Sequence, residues 1–331
     1  LIVGMINSIH LSRWIEHLYN YKNLEVYVFP IFPVKPHPLL KKISNLNKRY
    51  SNIKILDFFP HNFLNYYFHK IFYFLFKDSF TLYWLKKCIN SINPKYVHSH
   101  ELTTSSIMCL KLKEKLKEKF PKWIVSNWGS DLYFFYKVPF FKKNLNQILK
   151  HANFYSAECY RDYLLAKKIG IKAKFLDCVL NSGGIDIKKI EVKKRYIKPS
   201  KRKLIMIKGY QGLLGMGLYA IKALESISNE LRDFKIVIYS ADKEVISYYK
   251  KIKNKLKLSI DIFPINHNLD QSQMYKYFSK ARIYLGISRS DGVSTSLLEA
   301  MALGTFPIQS STSCADEWIK NGKSGFLVKN N

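Results

Sequence analysis

The segment SRSDGVSTSLLEA, residues 288–300, connects a strand-like apolar run at 281–287 to a predicted helix. The Asp-Gly pair ends the run, and Ser294 or Thr295 can cap the helix. Free backbone N–H groups at a helix start favour an anion. Because Asp291 and Glu299 lie eight positions apart across this start, the segment predicts a phosphate site flanked by two carboxylates that could bind hydroxyl groups. Taken alone, the pattern favours a helix cap with an exposed Glu.

Short β-rich runs alternate with longer helical patterns along the whole chain, which indicates parallel α/β layers. The turn-rich NSGGID stretch at 181–186 precedes a basic run and predicts a domain boundary, giving domains 1–187 and 188–331. The predicted strands are residues 24–29, 53–58, 96–99, 123–126 and 153–156 in the first half, and 204–208, 235–239, 259–263, 282–286, 305–308 and 326–328 in the second.

The composition is that of a globular protein, with 331 residues of which 47% are hydrophobic. Its formal net charge of +30 is spread along the chain, as +17 in residues 1–192 and +13 in residues 193–331. A spread charge without a small DNA- or RNA-binding motif disfavours specific nucleic acid and favours an anionic membrane surface or substrate. Five cysteines form no CxxC pair, so their spacing indicates neither a zinc ribbon nor a disulfide framework and fits a reducing cytoplasm. Both ends lie in or near strand-like runs, so we expect a fragment whose C-terminal domain is truncated.

The segment 61–88 is the most aromatic of the chain. Its longest apolar run, residues 71–76, is too short to span a bilayer. Two interpretations remain open, and they are compatible on different faces. One is a buried helix pair; the other is an interfacial surface that places aromatic rings among lipid headgroups beside lysines.

Two other patterns suggest different chemistries. The sequence GMGLYA at 215–220 fits G-x-G-x-x-A with Asp242 closing the next strand, as in a dinucleotide fold, but residues 209–214 separate it from its strand. His98 and His100 face the same side of a strand end and, with Glu101, resemble a partial metal site that lacks a third ligand at a suitable spacing.

The stretch 288–328 as a whole resembles the signature of family 4 glycosyltransferases. That signature runs E(x)7E, EAMA, GTP(V/I)I, a later Glu and dGxtGfLv, and here Asp291, EAMALGTFPI at 299–308, Glu317 and NGKSGFLV follow in order. The similarity extends over nearly the full chain through YVHSHE at 96–101, SNWGSDL at 126–132, VLNSGGIDI at 179–187 and KGYQGLLGMGL at 208–218. The resemblance implies the GT-B architecture, α/β with two Rossmann-like parallel-sheet domains facing a central cleft, the first on the acceptor side and the second binding a nucleotide sugar.

The resemblance also implies roles on the donor side. Glu299 would hold the ribose hydroxyls, Asp291 the sugar hydroxyls, and Lys208 would neutralise the diphosphate leaving group. Asp291 is one methylene shorter than the family's Glu, and Met216 stands where the family has a second basic residue. The remaining donor-binding candidates are Gly4, Gly209, Gly292, Val293, Ser294 and Thr295.

On the acceptor side, the resemblance makes Asp131 the catalytic candidate, with His100, Trp128 and His10 as further candidates. Trp128 replaces a His that the family often has. The implied reaction is retaining sugar transfer from a UDP- or GDP-sugar to a glycan or lipid-linked glycan, without a cofactor or metal. We expect a cytoplasmic enzyme, peripheral at the inner face of the plasma membrane. The alternatives are a non-catalytic basic protein that binds nucleic acid or an anionic surface, or a dinucleotide-dependent enzyme.

Overall fold

The computed structural model describes residues 1–21, 23–45, 52–56, 63–188, 190, 197–267 and 269–329. The chain forms two compact units, Leu1–Gly184 and Ile185–Asn331. Each unit is built on one parallel β-sheet flanked by helices, which confirms the predicted parallel α/β class.

The N-terminal unit has a seven-stranded sheet in the order β3-β2-β1-β4-β5-β6-β7. The chain builds outward on both sides of the β1–β4 pair, so the topological switch lies between these two strands. The strands are β1 (Ile2–Gly4), β2 (Val26–Pro30), β3 (Ile53–Ile55), β4 (Tyr96–His100), β5 (Lys122–Ser126), β6 (Phe154–Ala157) and β7 (Lys174–Cys178). The helices are α1 (Ile9–Glu16), α2 (Pro38–Asn45), α3 (Phe63–Ile92), α4 (Ser105–Leu116), α5 (Ser130–Tyr133), α6 (Pro139–His151) and α7 (Tyr160–Ile169).

Both faces of the sheet are covered at β1 and β2, which is why these two strands are almost continuously apolar. Val28 and Phe29 are neighbours on β2, yet they pack in different core clusters because successive side chains point to opposite faces. Edge strand β7 was missed in the sequence because most of its side chains are exposed. The second half of the predicted strand 53–58 lies largely outside the described residues.

From residue 63 onward the aromatic segment forms one continuous helix, so the interpretation as a helix pair is wrong. Helix α3 runs for 30 residues because Lys70, Lys77 and Asp78 are all compatible with a helix and the segment contains neither Gly nor Pro. Its C-terminal part buries Leu82, Leu85 and Ile89 in the core. Within the part of the chain that the structure describes, no helix combines the length and the apolar character needed to cross a membrane.

The stretch that leaves the N-terminal unit is anchored to it. The backbone N–H of Asn181 donates to Glu158 Oε2 at 2.8 Å, and the Gly183 carbonyl lies 2.8 Å from His17 Nε2. Gly183 has φ +78°, and a Cβ at this position would lie 2.7 Å from Arg13 Cβ. The glycine is therefore required both by its backbone conformation and by the close approach of α1.

The C-terminal unit has a six-stranded sheet in the order β10-β9-β8-β11-β12-β13. Its switch point lies between β8 and β11, where ligands of open α/β sheets bind beyond the carboxyl ends of the strands. The strands are β8 (Leu204–Lys208), β9 (Lys235–Ala241), β10 (Ser259–Pro264), β11 (Ala281–Gly286), β12 (Phe306–Ser310) and β13 (Phe326–Val328). The helices are α8 (Gly217–Ser226), α9 (Lys243–Leu256), α10 (Gln271–Phe278) and α11 (Thr295–Ala302).

Candidate functional site

An ion pair lies at the carboxyl ends of β8 and β11. Lys208 is the last residue of β8, and its Nζ lies 3.3 Å from Oδ2 of Asp291 in the loop after β11. The other carboxylate oxygen of Asp291 accepts the N–H of Gly292 at 2.9 Å, which orients the carboxylate. Burial by itself lowers the pKa of Lys208, but Asp291 and the nearby tyrosines outweigh it and raise the pKa above its usual value. Lys208 is therefore protonated at the switch point, with Asp291 as its counter-ion.

Helix α11 begins directly beyond this ion pair. Ser294 is its N-cap residue, but the Ser294 side chain does not accept a hydrogen bond from the helix backbone as the sequence predicted. Ser294 Oγ and Thr295 Oγ1 are buried, and neither has a hydrogen-bond partner among the described residues. Gly292 and Val293 are buried as well. The helix start thus offers backbone dipoles and the Thr295 hydroxyl next to a lysine, a combination suited to an anion that carries hydroxyl groups.

Glu299 lies in the second turn of α11 and is buried, so the alternative of an exposed Glu is wrong. Its Oε1 lies 3.4 Å from Nε2 of Gln271 in the first turn of α10. Sequence analysis missed Gln271, although the Asp270–Gln273 capping box marks the start of its helix. Asp291 and Glu299 therefore have different partners: Asp291 pairs with Lys208, and Glu299 lies next to Gln271.

The glycine-rich loop after β8 is held against the strand end that precedes Asp291. The N–H of Met216 donates to the Ile287 carbonyl at 3.2 Å, and the N–H of Arg289 donates to the Leu214 carbonyl at 2.7 Å. A Cβ on Gly209 would lie 2.9 Å from Ala241 Cα, so this glycine permits close packing against β9. The loop has Met216 where the family has a second basic residue. Arg289, whose backbone pairs with this loop, is basic and exposed.

Asp242 has a structural contact that explains its place in the GxGxxA pattern. Its Oδ2 accepts the N–H of Gln211 at 2.6 Å, and Gln211 Oε1 in turn accepts the N–H of Leu218 in the first turn of α8 at 3.0 Å. In the dinucleotide alternative, the Asp242 carboxylate would bind a ribose. In the structure it holds the loop at Gln211 instead, and the Gln211 side chain occupies the start of α8.

In the N-terminal unit, the predicted residues gather at the carboxyl ends of β1, β4 and β5. The His100 ring is fully buried, 4.2 Å from the His98 ring and 4.4 Å from the Trp14 ring between centroids. Neither His100 nitrogen has a hydrogen-bond partner in the described residues. Burial lowers the pKa of His98 to about 3, and burial together with His98 lowers that of His100 well below its usual value, so both rings are neutral near pH 7.

Gly4 is explained by packing in this region. A Cβ at Gly4 would lie 2.7 Å from Leu11 Cδ2 on α1 and 3.7 Å from His100 Cβ. The glycine lets helix α1 approach the sheet next to the buried histidine.

Asp131 connects two loops. Its Oδ2 accepts the N–H of Leu102 at 2.9 Å and its Oδ1 that of Trp128 at 2.8 Å, joining the loops after β4 and β5. Burial, reinforced by Glu101, raises the pKa of Asp131 well above its usual value. Trp128 lies beside the exposed His10, with ring centroids 6.1 Å apart.

Glu101 has φ +81° and is engaged in the turn before α4. Its carboxylate accepts hydrogen bonds from the backbone and hydroxyl groups of Thr103 and Thr104. The third member of the suggested histidine metal site is therefore committed to local structure.

Two Rossmann-like parallel-sheet units in one chain, with a lysine and a helix start at the switch point of the second, define the class of GT-B glycosyltransferases. The chain belongs to the glycosyltransferase family that its sequence resembles. Residues 193–331 match the family model described as Glycosyl transferases group 1, and residues 1–159 match the model described as Glycosyl transferase 4-like. It is an enzyme of this type. No curated protein sequence matches the chain at a significant level.

Solved structures share this fold at low sequence identity. Anabaena Alr3699/HepE in complex with UDP and glucose has a TM-score of 0.65 and 11% identity, covering 100% of this chain and 86% of that one. The lipopolysaccharide outer core galactosyltransferase WaaB, in its apo form, has a TM-score of 0.63 and 14% identity over 99% of this chain and 85% of that one. The α,α-trehalose 6-phosphate synthase of Burkholderia multivorans has a TM-score of 0.63 and 10% identity over 99% and 86%.

Proposed function

We propose that the protein is a retaining glycosyltransferase that moves a sugar from a UDP- or GDP-sugar to a glycan or lipid-linked glycan. The observation that carries this proposal is the Lys208–Asp291 pair at the start of α11, where the buried Thr295 hydroxyl has no hydrogen-bond partner among the described residues. The HepE structures were solved with UDP and with UDP-glucose, which supports a donor of this kind.

In this proposal, Lys208 and the N-terminus of α11 stabilise the negative charge that develops on the departing diphosphate. Glu299 holds the ribose hydroxyls, and Asp291 with the backbone of 292–295 contacts the sugar and the diphosphate. The bond between the anomeric carbon and the phosphate oxygen breaks while the acceptor oxygen bonds to the same face of the sugar. The departing phosphate oxygen takes the acceptor proton, so the reaction requires neither a protein base nor a metal.

We assign the acceptor to the N-terminal unit. Gly4, His10, His100, Trp128 and Asp131 all lie at or just beyond the carboxyl ends of its central strands, where ligands of such sheets bind. Asp131 acts in this assignment by fixing the two loops that its carboxylate joins.

We further propose that α3 docks the enzyme on the anionic inner face of the plasma membrane, where a lipid-linked acceptor is found. Four neighbouring apolar side chains, the α3 patch, are exposed on this helix: Ile71, Phe74, Leu75 and Phe76. Phe74 is 77% exposed, far more than a core side chain. The same unit carries a large positive charge, which complements anionic headgroups.

A panel of nucleotide sugars, measured by thermal shift and by donor hydrolysis, tests the donor assignment. We expect one nucleotide series to stabilise the enzyme and to be hydrolysed slowly, and Glu299→Ala to abolish both effects. Glu230→Ala removes an exposed carboxylate from the same unit and should leave both unchanged. Binding to arbitrary duplex DNA that falls steeply with salt, without any nucleotide effect, would instead establish the non-catalytic basic protein.

A further inference from the structure

Two tyrosines flank Lys208 on the same face of the C-terminal sheet. Tyr239 on β9 is the direct register partner of Lys208. Tyr284 on β11 is the partner of Met206, two residues before Lys208, and side chains two apart along a strand point to the same face. Both tyrosines are almost fully buried and belong to the core cluster on that face.

The ring of Tyr284 reaches along its strand toward the carboxyl edge because Gly286 has no side chain. A Cβ at Gly286 would lie 2.4 Å from the Tyr284 hydroxyl oxygen and 2.4 Å from Gln309 Oε1. Gly286 therefore makes room for a phenol hydroxyl at the level of Lys208. Tyr284 and Lys208 are close enough that each affects the ionisation of the other.

The polar ends of these side chains are unusually poorly satisfied. Among the described residues, the hydroxyls of Tyr239, Tyr284 and Ser294 and Gln309 Oε1 are buried and make no hydrogen bond of normal geometry. Tyr239, Tyr284 and Ser294 are nevertheless near enough to influence one another electrostatically. Buried hydroxyls without well-aligned hydrogen bonds destabilise a fold, so a cluster of them beneath a charged site calls for a functional explanation.

We propose that Tyr284 is a positioning residue for the leaving group: its hydroxyl, with that of Tyr239, holds the Lys208 ammonium and the Ser294 hydroxyl in place beneath the diphosphate. This inference rests on the proposed function and adds to it a layer of phenol hydroxyls under the diphosphate site. A ligand that draws Lys208 away from Asp291 leaves the ammonium with the tyrosine hydroxyls as its remaining neighbours on the sheet. These hydroxyls move little, because they are carried on rings packed in the core.

The test is a double-mutant cycle with Tyr284→Phe, Lys208→Met and the combined variant, using calorimetric binding of inorganic diphosphate and of UDP. We expect Tyr284→Phe to weaken diphosphate binding about ten-fold, the size expected for one hydrogen bond to a charged group. In the Lys208→Met background, the same change should have no further effect, since Tyr284 acts through Lys208. Tyr277→Phe, which removes a phenol hydroxyl from a half-buried ring of α10 packed on Phe263, should bind like the wild type.

Kinetics distinguish positioning from packing. With a donor that is turned over, Tyr284→Phe should lower kcat with little change in KM. Equal losses from Tyr284→Phe in both backgrounds, or no loss in either, would overturn the inference. A wild type that binds diphosphate and shows the predicted coupling, yet transfers no sugar, would refute the proposed function and leave the role of Tyr284 standing. A wild type that binds neither diphosphate nor UDP would overturn both.

Discussion

Lys208 has a resident counter-ion, and an incoming diphosphate must compete with it. Asp291 contacts the lysine at 3.3 Å in a half-buried position, where an ion pair is screened less than on the surface. We therefore expect Asp291→Asn to bind inorganic diphosphate up to about ten-fold more tightly, because the full charge of Lys208 becomes available. The same variant should transfer sugar more slowly, since it loses a group assigned to the sugar.

A matched control exists directly before β8, the strand that ends at Lys208. Asp233 pairs with Lys203 at 3.4 Å, but both side chains are exposed. Asp233→Asn should leave diphosphate binding unchanged in calorimetry. Weaker diphosphate binding by Asp291→Asn would show that Asp291 orients the lysine rather than competing for it.

His98 makes the stability of the protein sensitive to mild acid. Its pKa is about 3 in the folded chain, against 6.5 for the free side chain. As the pH falls below 6.5, the unfolded chain takes up a proton that the folded chain cannot accept, so the free energy of unfolding decreases down to about pH 3. The slope from this one histidine approaches about 1.4 kcal/mol per pH unit.

Urea denaturation at pH 7, 6 and 5 checks this expectation. His98→Gln removes the titrating ring but keeps an amide near Ser126, which lies 2.8 Å from His98 Nε2, and it should reduce the pH dependence by about one proton. His151→Gln, at an exposed helix end, should retain the wild-type slope. Equal slopes for all three proteins would contradict the buried, neutral state of His98.

Among the elements, the segment 181–184 has the clearest steric requirement. Gly183→Ala combines backbone strain at φ +78° with a Cβ 2.7 Å from Arg13 Cβ, so we expect a loss of about 2–4 kcal/mol. Gly170, the C-cap of α7, also has positive φ, +93°, but open space around its Cα. Gly170→Ala should therefore cost only about 1 kcal/mol, and the difference in urea denaturation isolates the contact with α1. Equal losses would show that this contact yields easily.

The sequence predicted most strands because buried parallel strands are largely apolar runs, and the strand bounds of the second unit agree with the structure within two residues. Edge strand β7 lacked that pattern, and one interpretation of the aromatic segment was a helix pair, whereas α3 is continuous. Asp291 and Glu299 were singled out because they flank a predicted helix start, and Lys208 because of the resemblance to the glycosyltransferase signature. The sequence does not reveal that Gln271, Tyr239 and Tyr284 lie near the site. For the tyrosines, this depends on strand register and on the absence of a side chain at Gly286.

For the whole molecule, the α3 patch and the net charge predict preferential binding to anionic bilayers. Replacing Phe74 and Phe76 together by Ser should reduce sedimentation with vesicles that contain phosphatidylglycerol, because less apolar surface enters the headgroup region. Ile227→Ser, at an exposed apolar position of α8's C-cap, serves as the control. Equal sedimentation with neutral and anionic vesicles, or no effect of the double change, would remove the membrane proposal.

The anchoring of residues 181–184 also bears on how halves of such enzymes can be recombined. Because Asn181 and Gly183 are bonded to Glu158 and His17, these residues fold as part of the first unit and not as a free tether. A chimera that joins this N-terminal unit to another transferase's C-terminal unit should be spliced after Gly184, where the compact unit ends. A junction placed a few residues earlier would replace Asn181 and Gly183 with residues of the other enzyme, and these would not fit against α1.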